Sequence, residues 1–529
     1  MLLENGPTAP ARSDSRPWWI VALALPGFAS LAMFAARHLP STGFWYDESM
    51  QFWMSLGLDG VGPPRSPPGG FWAAIHHNAV ANLDPGGFTL ILRYWLRLGT
   101  GEMWQRILPF LFFATGLAGV GWIGWAQRRR RLFAAACCAV PALFPLVLDY
   151  ATEVRAYSME FAGVVLGCAL LERFEARPAA RTAVLAGTTI GFFLTSRYGF
   201  AIFAIAACLS VVVSAVRDRG AGSQVGRRHL FAFFVPVGLA GAAVAIFALW
   251  PQYQARMSYE GGVLIGYLAG VTTASKSIGE IAGMLAVNLL HPAGLPVTAA
   301  ATLGAVTLLP QRLQTRLGLD PLARAIDHAG LAPFGLLCLI ALAVTALLWR
   351  WHPWAITTKW SLWLQALSAV ALVRLAAGLL ANIEAVRSGA AVRDRAIAAL
   401  TLIGVLALDL RLAFYQRPDW PTFVPALAYL ERLAPPPDSV AMDVHSYPTI
   451  RYFYEYGAFT SSPLYPDRFR MPYWNGPRPL IGPQTRFLLT GLTLSAANRV
   501  FAPATITRDV SLPERLFRVD PPAIDQPHD

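Results

Sequence analysis

The chain has 529 residues, 55% of them hydrophobic and only 14% charged, with a mean hydropathy of +0.45. Soluble domains carry about 25% charged residues, so no set of ordinary globular domains accounts for this composition, and collagen, coiled coil and disorder are excluded with them. The formal charge is +12, from 43 basic and 31 acidic residues, and only Lys276 and Lys359 are lysine. The arginines cluster at 128–131, at Arg173, Arg177 and Arg181, at Arg217, Arg219, Arg227 and Arg228, and at Arg312 and Arg316, each beside an apolar run. That is the positive-inside pattern of a membrane protein, not a nucleic-acid face. The cysteines Cys137, Cys138, Cys168, Cys208 and Cys338 all fall inside apolar runs without metal-ligand spacing, so no disulfide framework is expected.

A bilayer core needs roughly 20 apolar residues in a helix. The first run, 18–39, follows Arg12 and Arg16 and lacks a small-residue cleavage site, which predicts a retained anchor behind a cytoplasmic tail at 1–17. Further spans are expected at 104–126, 132–149, 157–171, 182–196, 199–216, 230–250, within 281–309, and at 332–350, 360–381 and 396–414. These make a mainly α, polytopic membrane protein of about eleven transmembrane helices. Counted from a cytoplasmic start, they put every arginine cluster inside, with Arg387, Arg393 and Arg395. The same parity puts a long first loop at 40–103, a loop after Trp250 and the whole tail from Tyr415 outside. In the tail the composition changes to eleven arginines against eleven acids with many prolines. Residues 415–529 read as a small exported α/β module, with helices at 425–434 and 447–456 and strands at 439–444 and 486–490.

The first loop opens with Phe44-Trp45-Tyr46-Asp47-Glu48-Ser49. Adjacent carboxylates on a helix point to different faces, so one can meet a cavity while its neighbour fixes an amide or an ion. The plain alternative is a solvated or helix-capping pair. Trp45, Tyr46, Phe52 and Trp53 argue against free solvation, because such aromatics belong at the headgroup interface. An acid held there is a candidate general base for a hydroxyl. Further on, His76-His77 cannot both ligate a metal from one helix face, and a structural or interfacial role is expected. Asp84, before Pro85, is either a cap for the next helix or a site residue.

Asp149, Glu153, Arg155 and Tyr157 lie between the third and fourth spans. Ionisable groups near membrane depth are costly and are usually paired or functional. Either Glu153 and Arg155 neutralise each other, or Arg155 meets a phosphate while Glu153 or Asp149 orients a sugar. Arg197, in the short Ser196-Arg197-Tyr198 link, is a headgroup snorkel or a bidentate phosphate ligand. Lys359, before Trp360, is a candidate of the same kind.

In this order, with Leu90 to Leu96 after the Asp84-Pro85 step, Glu102 and Arg106 entering the second span, and Pro418-Asp419-Trp420 before the tail, the chain resembles a known family. It is similar to the bacterial relatives of protein mannosyltransferases and aminoarabinose transferases, the polyprenyl-phosphate-dependent glycosyltransferases of the GT-C fold (glycosyltransferase family 39). The pattern departs from the family at Ala156, where proline is usual after the arginine, and at Pro85-Gly86-Gly87-Phe88, where Pro-Pro-Leu-Tyr is usual.

The resemblance implies a GT-C transmembrane catalytic domain at 18–414 in a bacterial inner membrane, with its tail domain in the periplasm. It implies a catalytic carboxylate at Asp47 with Glu48 beside it, and donor-phosphate or sugar contacts at Glu153, Arg155, Tyr157 and Lys359; Asp84, Asp149 and Arg197 are candidates for the same contacts from their own positions. The expected partners are a polyprenyl-phosphate-linked sugar donor, membrane lipids, and a lipid, glycan or protein acceptor, with no nucleic acid. No cofactor is required; a divalent metal held by Asp47 or Glu48 stays open. The rival readings are a transporter or flippase of lipid-linked sugars, and a non-catalytic assembly subunit. Transporters place ionisable groups near the bilayer midplane and often repeat their halves, whereas the acids here gather at the external mouths and Glu160, Arg374 and Asp409 are among few at midspan.

Overall fold

The computed structural model describes residues 18–40, 43–82, 84–128, 131–217, 226–258, 279, 283, 286–287, 289–328, 331–348, 361–386, 391–416, 422–443, 446–460, 462, 469–470, 481, 484–502 and 504–520. A first long helix, α1 (Trp18–His38), is followed by three short ones, α2 (Tyr46–Leu56), α3 (Phe71–Ala81) and α4 (Gly87–Trp95). The bundle continues with α5 (Glu102–Arg128), α6 (Arg131–Ala139), α7 (Pro145–Asp149), α8 (Tyr157–Ala176), α9 (Ala180–Leu194), α10 (Tyr198–Arg217), α11 (Arg227–Val244) and α12 (Trp250–Ser258). It closes with α13 (Leu295–Leu308), α14 (Gln311–Arg316), α15 (Asp320–His328), α16 (Ala332–Leu348), α17 (Leu362–Val386) and α18 (Ala391–Phe414).

Among the described residues, four helical stretches are long and apolar enough to cross a membrane: Glu102–Arg128, Tyr198–Val216, Arg227–Gln254 and Leu362–Leu380. Shorter apolar helices cover Phe133–Leu143, Ala180–Leu194, Leu295–Leu308 and Ala332–Leu347. Helix is therefore found at the expected apolar runs, but not always as one span. Over 132–149 the helix breaks at Phe144, which is extended, because Pro145 has no N–H to continue the ladder and starts α7 instead. Within 281–294, residues 281–282, 284–285 and 288 lie outside the described residues, and α13 begins only at Leu295. Between α11 and α12 the helix widens to π geometry over Ala245–Leu249, where α3 packs against it.

The helices pack α5 on α8, α8 on α9, α9 on α11, α13 on α16, and α17 across α8, while α1 and α6 share α18. Large apolar side chains such as Phe28, Phe231, Leu239 and Leu347 are exposed on the outside of this bundle, as lipid-facing positions are. One end of the bundle gathers α2 to α4, the start of α5, the link between α7 and α8, the link between α9 and α10, and the start of α17.

The tail adds α19 (Val424–Leu433), α20 (Tyr447–Glu455) and α21 (Leu494–Val500) to strands β1 (Val440–Met442), β2 (Phe469–Arg470), β3 (Phe487–Leu489), β4 (Thr505–Thr507) and β5 (Leu516–Asp520). The sheet order is β2-β1-β3-β5-β4, with β1 parallel to β2 and β3 and the other pairs antiparallel. Side chains alternate across it. Val440, Met442, Leu489 and Leu516 join a core continuous with the helical bundle, while Ala441, Leu488, Phe517 and Val519 form a second core with Ala497 of α21.

The tail is thus seated on the first loop through α20. Thr449 Oγ1 accepts from Ser49 at 2.9 Å, and the Pro448 carbonyl accepts from Trp53 Nε1 at 2.9 Å. Arg451 lies 4.0 Å from the Trp53 ring centroid and donates to the Asp59 and Gly62 carbonyls. The expected helices and strands of 425–456 and 486–490 are present, shortened by a few residues; Val444 lies outside the described residues.

Candidate functional site

The turn Tyr46-Asp47-Glu48 opens α2, and its register divides the two acids. Glu48 points inward and is 1% exposed. Its Oε2 accepts from Arg106 Nη2 at 3.0 Å and its Oε1 from the Val154 amide at 3.0 Å. Glu48 therefore fixes one ion and one amide, tying α2 to α5 and to the link before α8. Arg106 also reaches the Gly43 carbonyl, and the Gly43 amide is taken by Glu102, so the entry to α2 is held from both sides.

Asp47 is half-buried on the other face. Its carbonyl accepts from Arg155 Nη1 at 3.4 Å. Burial pushes the Tyr46 hydroxyl above its ordinary pKa, and Asp47, Asp59 and Asp443 push it the same way, which places four carboxylate or phenol groups in one neighbourhood.

Arg155 and Arg197 come from separate links between helices and converge on Asp84. Arg155 Nη2 lies 3.5 Å from Asp84 Oδ2 and 3.3 Å from Asn82 Oδ1; Arg197 Nε lies 3.2 Å from Asp84 Oδ1. Arg197 Nη1 continues to Glu160 Oε2 at 3.2 Å, and its guanidinium stacks 4.1 Å from the Tyr157 ring centroid. Tyr157 packs in turn on Tyr150, at 4.3 Å between centroids. Burial works against charge on both arginines, yet Asp47, Asp84 and Glu153 around Arg155, and Asp84 and Glu160 around Arg197, hold them above the usual guanidinium range. Both remain cations.

The structure settles several alternatives. Asp84 does not cap α4: the position before that helix is Gly86, with no side-chain cap bond, and Asp84 serves the two arginines instead. Gly86 is needed there because its φ is +95° and a Cβ would stand 2.9 Å from Asn78 Nδ2. Arg197 is not a snorkel; it is 3% exposed and ion-paired. Asp149 takes a different partner, the Tyr415 hydroxyl at 2.5 Å, at the end of α18. Lys359, and the Asp419-Trp420 step with it, lie outside the described residues.

A layer of amides and hydroxyls around Asp84 escaped the sequence reading. Gln51 donates to Thr89 at 2.7 Å, Thr89 to Asn78 at 2.6 Å, and Asn82 to Asn78 at 3.1 Å. Asn78 Nδ2 and Gln252 Nε2 donate to the Asp84 carbonyl, and Tyr198 holds Gln252 at 2.8 Å. The signal that was available is the recurrence of Asn78 and Asn82 at i,i+4 on an otherwise apolar segment. His76 and His77 stack edge to face beside this layer, and burial lowers the His77 pKa, which keeps that ring neutral near pH 7. Among the described residues, no three His, Cys, Asp or Glu side chains are grouped to hold a metal ion, and the five cysteines are free thiols.

No family model matches the chain, and no curated protein does. Among solved structures, the cryo-EM structure of arabinosyltransferase EmbB from Mycobacterium smegmatis is similar over 81% of this chain, with 14% identity and a TM-score of 0.35. The match takes in 44% of that enzyme's chain, so this protein spans less than half its length. A likeness of that size leaves the reading of this protein to its own residues.

Proposed function

We propose that the protein is a glycosyltransferase of GT-C type that moves a sugar from a polyprenyl-phosphate donor to a glycolipid, polysaccharide or protein acceptor, at the outer face of a bacterial inner membrane. The observation that carries this reading is the division of the Asp47-Glu48 pair. Glu48 is consumed in fixing the helix, while Asp47, one residue earlier, stands beside a two-arginine cluster at the mouth of the bundle.

The chemistry this arrangement suits is a displacement at an anomeric carbon. The acceptor hydroxyl attacks C1, Asp47 takes its proton, and the C1–O bond to the phosphate breaks with both electrons leaving on the polyprenyl phosphate. A phosphate leaves without a general acid, so the residues needed on that side are cations; Arg155 and Arg197 are assigned to it, with Lys359 as a third candidate. Attack from the face opposite the phosphate inverts the anomeric centre. The Asp47 carboxylate also favours the oxocarbenium-like positive charge that develops at C1.

The test is mass spectrometry of membrane lipids and surface glycans from a strain lacking the gene. Loss of one sugar modification with accumulation of its polyprenyl-phosphate donor supports the reading, and the lost sugar names the substrate. Loss of a transporter would instead leave the donor on the cytoplasmic leaflet, where an external glycosidase does not reach it in intact spheroplasts.

A further inference from the structure

Buried polar atoms are nearly always hydrogen-bonded, so the ones that are not ask for a reason. Among the described residues, Glu160 Oε1 and Trp363 Nε1 have no partner, with Glu160 0% and Trp363 1% exposed. The two side chains come from α8 and α17 and meet at Gly199, the second residue of α10. A Cβ on Gly199 would stand 2.5 Å from Glu160 Oε1 and 3.3 Å from Trp363 Cδ1, the ring atom bonded to Nε1. Any side chain there crowds Glu160 Oε1 and the edge of the indole that carries Trp363 Nε1. Arg197 Nη1 holds Glu160 Oε2, which fixes the carboxylate with its second oxygen toward Gly199.

A carboxylate oxygen accepts hydrogen bonds, and an indole N–H only donates. A single atom bound between them must therefore give a hydrogen to one and take a hydrogen from the other. Ionised phosphate and carboxylate oxygens only accept, and an ammonium only donates; a hydroxyl does both. We propose that Glu160, Gly199 and Trp363 form a hydroxyl subsite for the sugar of the lipid-linked donor. This rests on the transferase reading and deepens it, since Arg197 joins the subsite directly to the cations assigned to the phosphate. An ordered water has the same hydrogen-bonding chemistry, and the test separates the two.

Purified full-length protein in detergent is titrated, by thermal shift, with bare polyprenyl phosphate and with polyprenyl phosphate carrying glucose, galactose, mannose or arabinose. The expected result is that at least one sugar-bearing lipid binds about tenfold tighter than the bare lipid. Trp363→Phe, which keeps the ring and removes the N–H, abolishes that advantage while the bare lipid still binds. Gly199→Ala and the isosteric Glu160→Gln abolish it as well, which covers the case of one variant failing to fold. An advantage that survives in the folded variants, or no sugar-bearing lipid outbinding the bare one, overturns the subsite alone. Variants that lower the melting temperature equally with and without every probe assign the two atoms to water and overturn it too. If neither the bare nor the sugar-bearing lipids bind the wild type, the transferase reading falls first and takes the subsite with it.

Discussion

The Glu172–Arg374 pair and the cluster around Arg155 both bury charge between helices, and they balance it differently. Glu172 of α8 and Arg374 of α17 meet one to one at 2.7 Å, with Gln127 completing the carboxylate and the Phe334 ring beneath the guanidinium. At the other place, Arg155 and Arg197 share Asp84, and Arg197 continues to Glu160, so that the segments before α4, α8 and α10 meet in one network. A closed pair is a packing element, and burying it is weak evidence for stability. A network that gathers charge from several segments is costly to bury, and a cost of that kind is tolerated where charge has a use. Substitution at the closed pair is therefore expected to change little, whereas around Arg155 the residues that hold a helix should change stability and those assigned to the chemistry should change turnover.

The largest stability effect is expected inside the cluster, at the residue that is structural. Glu48→Gln leaves Arg106 buried without its counter-charge and should cost about 3–5 kcal/mol, read as a lower thermal midpoint of the purified protein. A midpoint equal to wild type would mean that α2 is held by other contacts. Next comes the joint between tail and loop. Arg451→Met abandons Glu455 and the Asp59 and Gly62 carbonyls, a loss of roughly 2–3 kcal/mol, and limited proteolysis should then release the tail faster than in wild type. Gly86→Ala forces a side chain into a positive-φ position against Asn78, at about 1–2 kcal/mol, and should lower the midpoint less than either. The smallest effect is expected at the closed pair: the double variant Glu172→Leu with Arg374→Met should keep its midpoint within about 1 kcal/mol or gain, with turnover unchanged. A loss of turnover there would erase the distinction between the two regions.

What the sequence disclosed of this comparison depended on local pattern. The apolar runs placed the helices, and adjacency alone separated Asp47 from Glu48, because neighbours on a helix face different ways. The Pro145 break was marked by its residue type but was outweighed by the hydropathy of the run around it. Convergence was not legible. Asp84, Arg155, Glu160 and Arg197 are spread over 113 positions and meet only because α4, α8 and α10 begin at one mouth. Arg197 has two readings from sequence, a headgroup snorkel and a phosphate ligand, and burial against Asp84 and Glu160 removes the first. The amide layer of Asn78, Asn82, Gln51 and Gln252 was hidden for the same reason, since an uncharged polar residue in an apolar loop carries no mark of its partner.

The central claim is that Asp47 does the chemistry while Glu48 builds the helix that carries it. Its most direct test is release of polyprenyl phosphate from a sugar-bearing polyprenyl phosphate by purified wild type and Asp47→Asn, with melting curves measured on the same samples. The account predicts that Asp47→Asn melts like wild type and turns over about 10³-fold more slowly, within the range of a lost general base. Turnover at the wild-type rate by a correctly folded Asp47→Asn protein would contradict it.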